Sequence, residues 1–567
     1  MLLLFAAAMF VAVVNHFKLN LGTLSNIVSY RSNPENYLYA LLTIGILSFA
    51  ACSSVISNGF SRLLKLRPDG DTLCALAHVS AIAAMVPYLA AGEYIQRSRS
   101  HVYLAVSLMA LIFNTLSKLF TVRTAQKNFA FTSADKAKFF VERCEGEGAE
   151  QLAKGAVSGI PVVASMRKTE LLCDFILSTY CEDISDRFSR KVTPITIAAA
   201  AIGGVMAYFT CVDKVTMNKV SWAVTVCTAI FAIGASFSGS LVVTLPMLSA
   251  ARKSGSRGSV ILGYNAVEEL CDTNAVLTDA ATLFPPASVK INNICGYDKP
   301  KSRCEGKINI DEAIIYAASL AVASDSVLAD AFFNMLNYKQ ELLKPVSGCI
   351  YENNLGVMGW IDRRRVLLGN RQHMKSHEIT VPNNKKEDAA NVNNDEVIYL
   401  AVGGEVCLLF FVQLIANPAI KRSVQELAYR DISIIVKTVD GMITSSMITE
   451  LFEIDTENVR ILPFEAHESF NENTKFVSSG SAAISCSGTF PSFARAVTTA
   501  RSIRARSVLG CVIQGAGIAL GILLAIVFMM FVKSNKEMYG MFNVFNILVY
   551  NFAWAAVTLG IQYFRRL

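Results

Sequence analysis

The chain has 567 residues, 53% of them hydrophobic and only 17% charged, with a mean hydropathy of +0.41. That balance excludes a disordered chain, a collagen-like repeat and a small disulfide scaffold, and it is the balance of a membrane protein. The net charge is +7, and the 14 cysteines are scattered, with no CxxC pair and no Cys/His group at zinc spacing. They read as small buried residues in a reducing compartment.

An apolar helix needs about 20 residues to cross about 30 Å of hydrocarbon. Eight candidate spans occur, at 1–17, 37–56, 73–92, 102–120, 192–212, 222–243, 508–532 and 541–563. No basic segment precedes the first, so it reads as a spanning helix rather than a secretory signal, and its shortness is compatible with a missing upstream segment. The expected domains are four helices in 1–120, a small polar region at 121–190, two helices in 191–248, a large polar region at 249–507 and two helices in 508–567. Arg62, Lys65, Arg67, Arg123, Lys127, Lys136, Lys138, Arg252, Lys253 and Arg257 fall on one side of an eight-span topology. Arg97, Arg99, Lys533 and Lys536 fall on the other. The excess places both polar regions and the C-terminus in the cytoplasm.

The large polar region reads as α/β. Residues 274–278 (NAVLT) form a short apolar run ending in a turn, 310–336 has helical periodicity, and 397–415 holds two strand-like runs separated by Gly403 and Gly404. An amphipathic stretch at 419–429 leads into the buried strand 433–438 (SIIVKT), an order that implies a parallel layer with crossover helices. In such sheets chemistry sits at the carboxyl ends of the strands, which singles out Asp279 and Asp440.

Several stretches in collinear order resemble the heavy-metal-transporting branch of the P-type ATPases. These are GYNAVEEL at 263–270, Asp279 eleven residues after Glu268, GVMGWIDRRRVLLGN at 356–370 and Thr438-Val439-Asp440. The resemblance covers nearly the whole chain. It implies a polytopic α-helical membrane protein with a haloacid-dehalogenase-like phosphorylation domain, a nucleotide-binding domain at about 290–405 and a reduced actuator-like domain at 121–190. It further implies ATP and Mg²⁺ as cofactors, Asp279, Thr438 and Asp440 as catalytic residues, and Gly356, Gly359 and Gly369 at the nucleotide. A one-residue shift would put Thr278 in the place of Asp279. The implied location is an integral protein of the plasma membrane, with lipid as its partner. Nothing calls for nucleic acid, and no protein partner is specified.

An aspartyl nucleophile attacking ATP depends on Mg²⁺ and positive charge to neutralise the phosphoryl oxygens. The family supplies these through DKTGTLT, a later lysine, and GDGxND. Here 279–285 reads DAATLFP, Ala466 stands at the later lysine, and 478–489 (SSGSAAISCSGT) has no acidic residue. Ser326 and Val327 replace the nucleotide domain's His-Pro. No Thr-Gly-Glu occurs in 121–190, where Glu145-Gly146-Glu147 is only an echo. The sixth span has no Cys, His or Met at 237–239, and the proline that would unwind it is gone; Cys211 and Cys227 read as packing residues. No metal ligands are therefore assigned. His373 and His377 have helical spacing but no third ligand nearby in sequence, so they read as surface histidines. Arg363, Arg364 and Arg365 read as a solvated charge run and 384–394 as a polar loop. The expectation is a pseudo-ATPase, with an active cation pump phosphorylated at Asp279 as the alternative.

Overall fold

A computed structural model describes the chain except for residues 18, 20–27, 92–100, 145, 158, 211–218, 255–257, 297–308, 382–394, 532–539 and 565–567. Expectations resting on Arg97, Arg99, Glu145, Cys211, Arg257, Lys533, Lys536 and the loop 384–394 lie outside the described residues. Five helices are long and apolar enough to cross a membrane: Gly70–Ala90, Leu104–Thr132, Ile184–Thr210, Phe490–Phe531 and Val544–Phe564. Pro34–Ala51 and Ser53–Leu64 count as a sixth if taken together, although they bend by 77° at Cys52. Leu2–Phe17 and Lys219–Gly234 have 16 residues each, about 24 Å at 1.5 Å per residue, and fall short of a full crossing. Each of the eight expected segments is therefore helical, but eight full-length spans are not found among the described residues.

Several helices run on past the apolar stretches. Phe490–Phe531 is continuous over 42 residues, so the expected boundary at 507/508 lies inside one helix. Its first turns bury Phe490, Phe493, Val497 and Ile503 in one core with strand residues such as Val276 and Ile434. Sequence hydropathy marks where a helix becomes apolar, not where it starts, and a polar-sided stalk helix is invisible to that signal.

Outside the apolar helices, the described residues form two sheets. The first has eight strands, β1 (Lys138–Cys144), β2 (Val163–Cys173), β3 (Ser259–Ile261), β4 (Ala275–Asp279), β11 (Ser433–Lys437), β12 (Val459–Ile461), β13 (Val477–Ser481) and β14 (Ile484–Cys486). Its order is β12-β11-β4-β2-β1-β14-β3, with β13 against β2. β12, β11, β4 and β2 run parallel, and β4 is buried through Thr278, which explains a strand that is apolar without alternation. The second sheet is antiparallel, in the order β5-β10-β9-β8-β7-β6, from β5 (Val289–Gly296), β6 (Ser347–Glu352), β7 (Gly356–Ile361), β8 (Arg364–Gly369), β9 (Glu396–Val402) and β10 (Glu405–Leu414). Gly403 and Gly404 both take positive φ at the β9–β10 turn, as the sequence suggested.

One expectation needs correction. β10, the helix Pro418–Tyr429 and β11 do not form one crossover unit, because β10 belongs to the second sheet and β11 to the first. β11 pairs in parallel with β12 and with β4, the latter more than 150 residues earlier. The region 121–190 supplies two strands, β1 and β2, to the first sheet. β2 pairs in parallel with β4 through Val163 and Ala164 and with β13 from Thr169 to Cys173, and β1 pairs with β14. The approach to β2 is clasped as well. Val162 N donates to Asn274 Oδ1 at 2.8 Å, Asn274 Nδ2 to the Ile160 carbonyl at 2.8 Å, and Ser433 Oγ to the Ala156 carbonyl at 2.8 Å. The partners of β2 come from distant sequence, so its pairing could not be read locally.

Candidate functional site

The carboxyl ends of β4 and β11 lie side by side, with Asp279 and Lys437 as register partners. Asp279 ends β4 and caps the turn 280–283, its Oδ1 accepting from Ala281 N at 2.9 Å. Its Oδ2 lies 3.8 Å from Lys437 Nζ. Burial raises the Asp279 carboxyl above the usual range, against the pull of the Ala281 N–H and Lys437. Lys437 is a cation beside Asp279 that motif matching does not find, because it precedes Thr438 and comes from another strand. It is itself held, donating to Asn471 Oδ1 at 2.9 Å and lying over the Phe470 ring at 5.4 Å.

Asp440 is buried beside the same strand ends. Its Oδ1 accepts from Ser326 Oγ, its Oδ2 accepts from Val327 N at 2.8 Å, and its own N–H donates to Thr438 Oγ1 at 3.1 Å. Burial raises its carboxyl to about 6. Thr438 is buried and shapes this turn. Ser326 and Val327, the positions of the expected His-Pro, thus hold Asp440 rather than a base. The segment 478–489 contributes β13 and β14 to the sheet. Among the described residues no third carboxylate joins Asp279 and Asp440 as a potential metal ligand. Because Asp440 has both oxygens engaged, the donor set does not fit a Mg²⁺ bridging protein and phosphate.

The three glycines are packed against protein atoms. A Cβ on Gly356 would stand 2.6 Å from Gly369 Cα and 2.7 Å from His373 Nδ1, and one on Gly359 would stand 2.8 Å from Val346 and 2.9 Å from Leu320. A Cβ on Gly369 would overlap His373, and one on Gly441 would overlap the Leu355 carbonyl. The loop after Asp440 therefore sits against the β6–β7 turn, and the glycine faces that would cradle a phosphate are occupied by the chain.

His373 and His377 differ from expectation. His373 is fully buried rather than on the surface, and a third donor, Glu352, reaches both rings from the end of β6. The sequence spacing of 21 residues hides it, because the hairpin β6–β7 and strand β8 intervene.

In the membrane half, the sixth apolar stretch is broken between Gly234 and Leu241 even without a proline. Ser236, Ser238 and Ser240 offer the backbone competing hydrogen bonds, and Ser236 and Ser238 pair at 3.0 Å. The carbonyls flanking the break are satisfied by side chains of the last span, Asn551 Nδ2 to Ala232 at 2.9 Å and Gln562 Nε2 to Val242 at 3.1 Å. Phe237 fills the break, stacking on Phe113 at 5.5 Å and meeting Phe552 edge-on at 5.0 Å. A cavity of about 20 Å³ remains, lined in part by Asn114, Ser236, Ser240 and Gln514. It has room for about one water. The nearby buried Asp71, unnoticed in the sequence, is fully engaged by Asn58 at 2.6 Å, Asn114 at 2.6 Å and Lys118 at 2.7 Å.

No protein-family model matches the chain, and no curated protein matches it. Among solved structures the chain is similar to a zinc-transporting PIB-type ATPase, at 14% identity and a TM-score of 0.44, over 98% of this chain and 99% of that one. A second crystal structure of a zinc-transporting PIB-type ATPase, in a different state, gives 13% identity and a TM-score of 0.42, over 99% of each chain. The catalytic domain of the CPx-ATPase CopB-B gives 16% identity and a TM-score of 0.24, over 40% of this chain and 77% of that one.

Proposed function

We propose that the chain is a P-type ATPase-like integral membrane protein on the heavy-metal plan that does not run the pump cycle, and that serves as a membrane-anchored binding or regulatory protein. The observation that carries this reading is the position of β2, hydrogen-bonded into the middle of the sheet that bears Asp279. An actuator that brings a water-positioning carboxylate to Asp279 and withdraws it has to move relative to that sheet. Here any such motion would break strand pairing on both sides of β2. The residue changes point the same way. Asp440 is engaged by Ser326 and Val327, 478–489 supplies strands instead of Mg²⁺ carboxylates, and Phe237 occupies the place of the soft ligands. These losses fall on groups that act as one unit, so none compensates another.

Lys437, 3.8 Å from Asp279, favours the second reading, an active ATP-driven cation transporter phosphorylated at Asp279. One experiment separates the two. Purified membranes are incubated with γ-labelled ATP and Mg²⁺, acid-quenched, and compared between wild type and Asp279→Asn. The pseudo-ATPase reading expects no label. An acid-stable, hydroxylamine-labile label that vanishes in Asp279→Asn would establish the pump.

A further inference from the structure

Glu352, His373 and His377 each place one donor atom within 4.8 Å of the other two. His377 Nε2 lies 2.7 Å from Glu352 Oε1, and His373 Nε2 lies 3.7 Å from Glu352 Oε2. The two rings meet edge to face with centroids 5.1 Å apart. The Glu352–His377 contact is an ordinary hydrogen bond and needs no ligand. His373 is different. It has no exposed surface, and neither of its ring nitrogens has a hydrogen-bond partner. Leaving a buried polar group unpaired costs about 1–3 kcal/mol, so natural folds rarely do it without a use. Gly356 and Gly369 lack the side chains that would collide with this ring, so the backbone around it is shaped to admit it.

We propose that Glu352, His373 and His377 form a cytoplasmic site for a divalent first-row transition metal of the Zn²⁺ class. Two imidazoles and one carboxylate are a known zinc donor set, with the fourth position left for water. A hard cation such as Mg²⁺ or Ca²⁺ would demand oxygen ligands, and a soft monovalent one would demand sulfur. Metal–donor bonds of about 2.0–2.2 Å need donors roughly 3–3.5 Å apart, so small side-chain adjustments close the site. Glu352 and His377 are partly exposed, at 28% and 17% of their side chains, which leaves a path for the ion. Occupancy would tie the end of β6 to the helix Arg371–Ser376. The cap of that helix, Asn370, also contacts the Gly441 carbonyl beside Asp440, at 3.4 Å. The inference stands apart from the question of ATP turnover.

The test is Co²⁺ titration of the full chain in detergent, followed by visible absorption, with Zn²⁺ competition. Expected is one Co²⁺ per chain with d–d bands and no thiolate charge-transfer band. His377→Ala and Glu352→Gln should each weaken binding at least about tenfold, the loss seen when even supporting partners are removed. Cys349→Ser, an exposed thiol on the same strand as Glu352, should change nothing. Both site variants alter partly exposed residues, and a metal-free melting temperature matching wild type checks their folding. Absence of binding, a thiolate band, or a Glu352→Gln/His377→Ala double variant that binds like wild type would overturn the proposal.

Discussion

The carboxyl ends of β4 and β11 and the corner where β6 meets the helix Arg371–Ser376 both gather buried titratable groups, yet the two regions treat them oppositely. At the first, each acidic side chain has found partners inside the chain: Asp440 with Ser326 and Val327, Asp279 with the Ala281 N–H and Lys437. At the second, His373 is as deeply buried and has no hydrogen-bond partner. A ligand entering the first region has to displace internal hydrogen bonds, whereas one entering the second would satisfy a group that the fold leaves unpaired. The family resemblance draws attention to the first region, but physical chemistry directs a search for bound ligand to the second.

The comparison breaks most readily at the sheet. Ala164→Pro removes a ladder hydrogen bond from β2 where it pairs with β4, and is expected to cost about 3 kcal/mol or more. If 121–190 folded as an independent unit, this variant would leave the melting of the rest of the two sheets unchanged; the paired sheet predicts a common loss. Phe237→Ala opens a void among Phe113 and Phe552 and should cost about 2–4 kcal/mol, read as a lowered melting temperature in detergent. A pump-like polar pocket at the break would tolerate that change. The third test sharpens the contrast between the titrating groups. The Asp440 carboxyl is raised to about 6, so the folded state holds a proton that the unfolded chain has released. Stability associated with it therefore falls as pH rises from about 4 to about 6, by on the order of 2–3 kcal/mol. His373, lowered to about 4, works in the reverse sense, its contribution growing with pH up to about 6.5. Asp440→Asn should abolish the first slope and expose the second in the pH dependence of melting.

Much of the secondary structure was legible because it rests on local signals. Gly403 and Gly404 marked the β9–β10 hairpin, and the apolar run before Asp279 marked β4. The periodicity at 310–336 was real but covered two helices, Ile310–Ala323 and Ala329–Met335, with Ser326 and Val327 at the break where they engage Asp440. Partnership across long separations was not legible. The pairing of β2 with β4, of Lys437 with Asp279, and of Glu352 with the two histidines each joins residues that no local pattern links. The break at Phe237 was missed for a different reason. A proline was sought as its cause, while three serines and a glycine interrupt the helix equally well, and the rescuing Asn551 and Gln562 lie in the last span.

The smallest expected effect concerns Lys437, and it bears on the alternative reading. Lys437 Nζ is only 3.8 Å from Asp279 Oδ2, yet its shorter contact is the 2.9 Å bond to Asn471, and its charge also rests over Phe470. A lysine kept to neutralise a phosphoryl group has to be free to turn toward it, and this one is anchored to the helix His467–Thr474. Lys437→Gln keeps a donor for Asn471 and removes the charge. The Asp279 carboxyl then rises further, because burial acts on it with less opposition. An acid raised in the folded state loses stability as pH climbs above its unfolded value, so the variant should melt lower at pH 7 and match wild type below about pH 4. The pair is loose and partly solvated, which limits the difference to about 1 kcal/mol. A much larger loss, together with stabilisation by added inorganic phosphate in wild type but not in Lys437→Gln, would mean that Lys437 serves an anion at Asp279 after all.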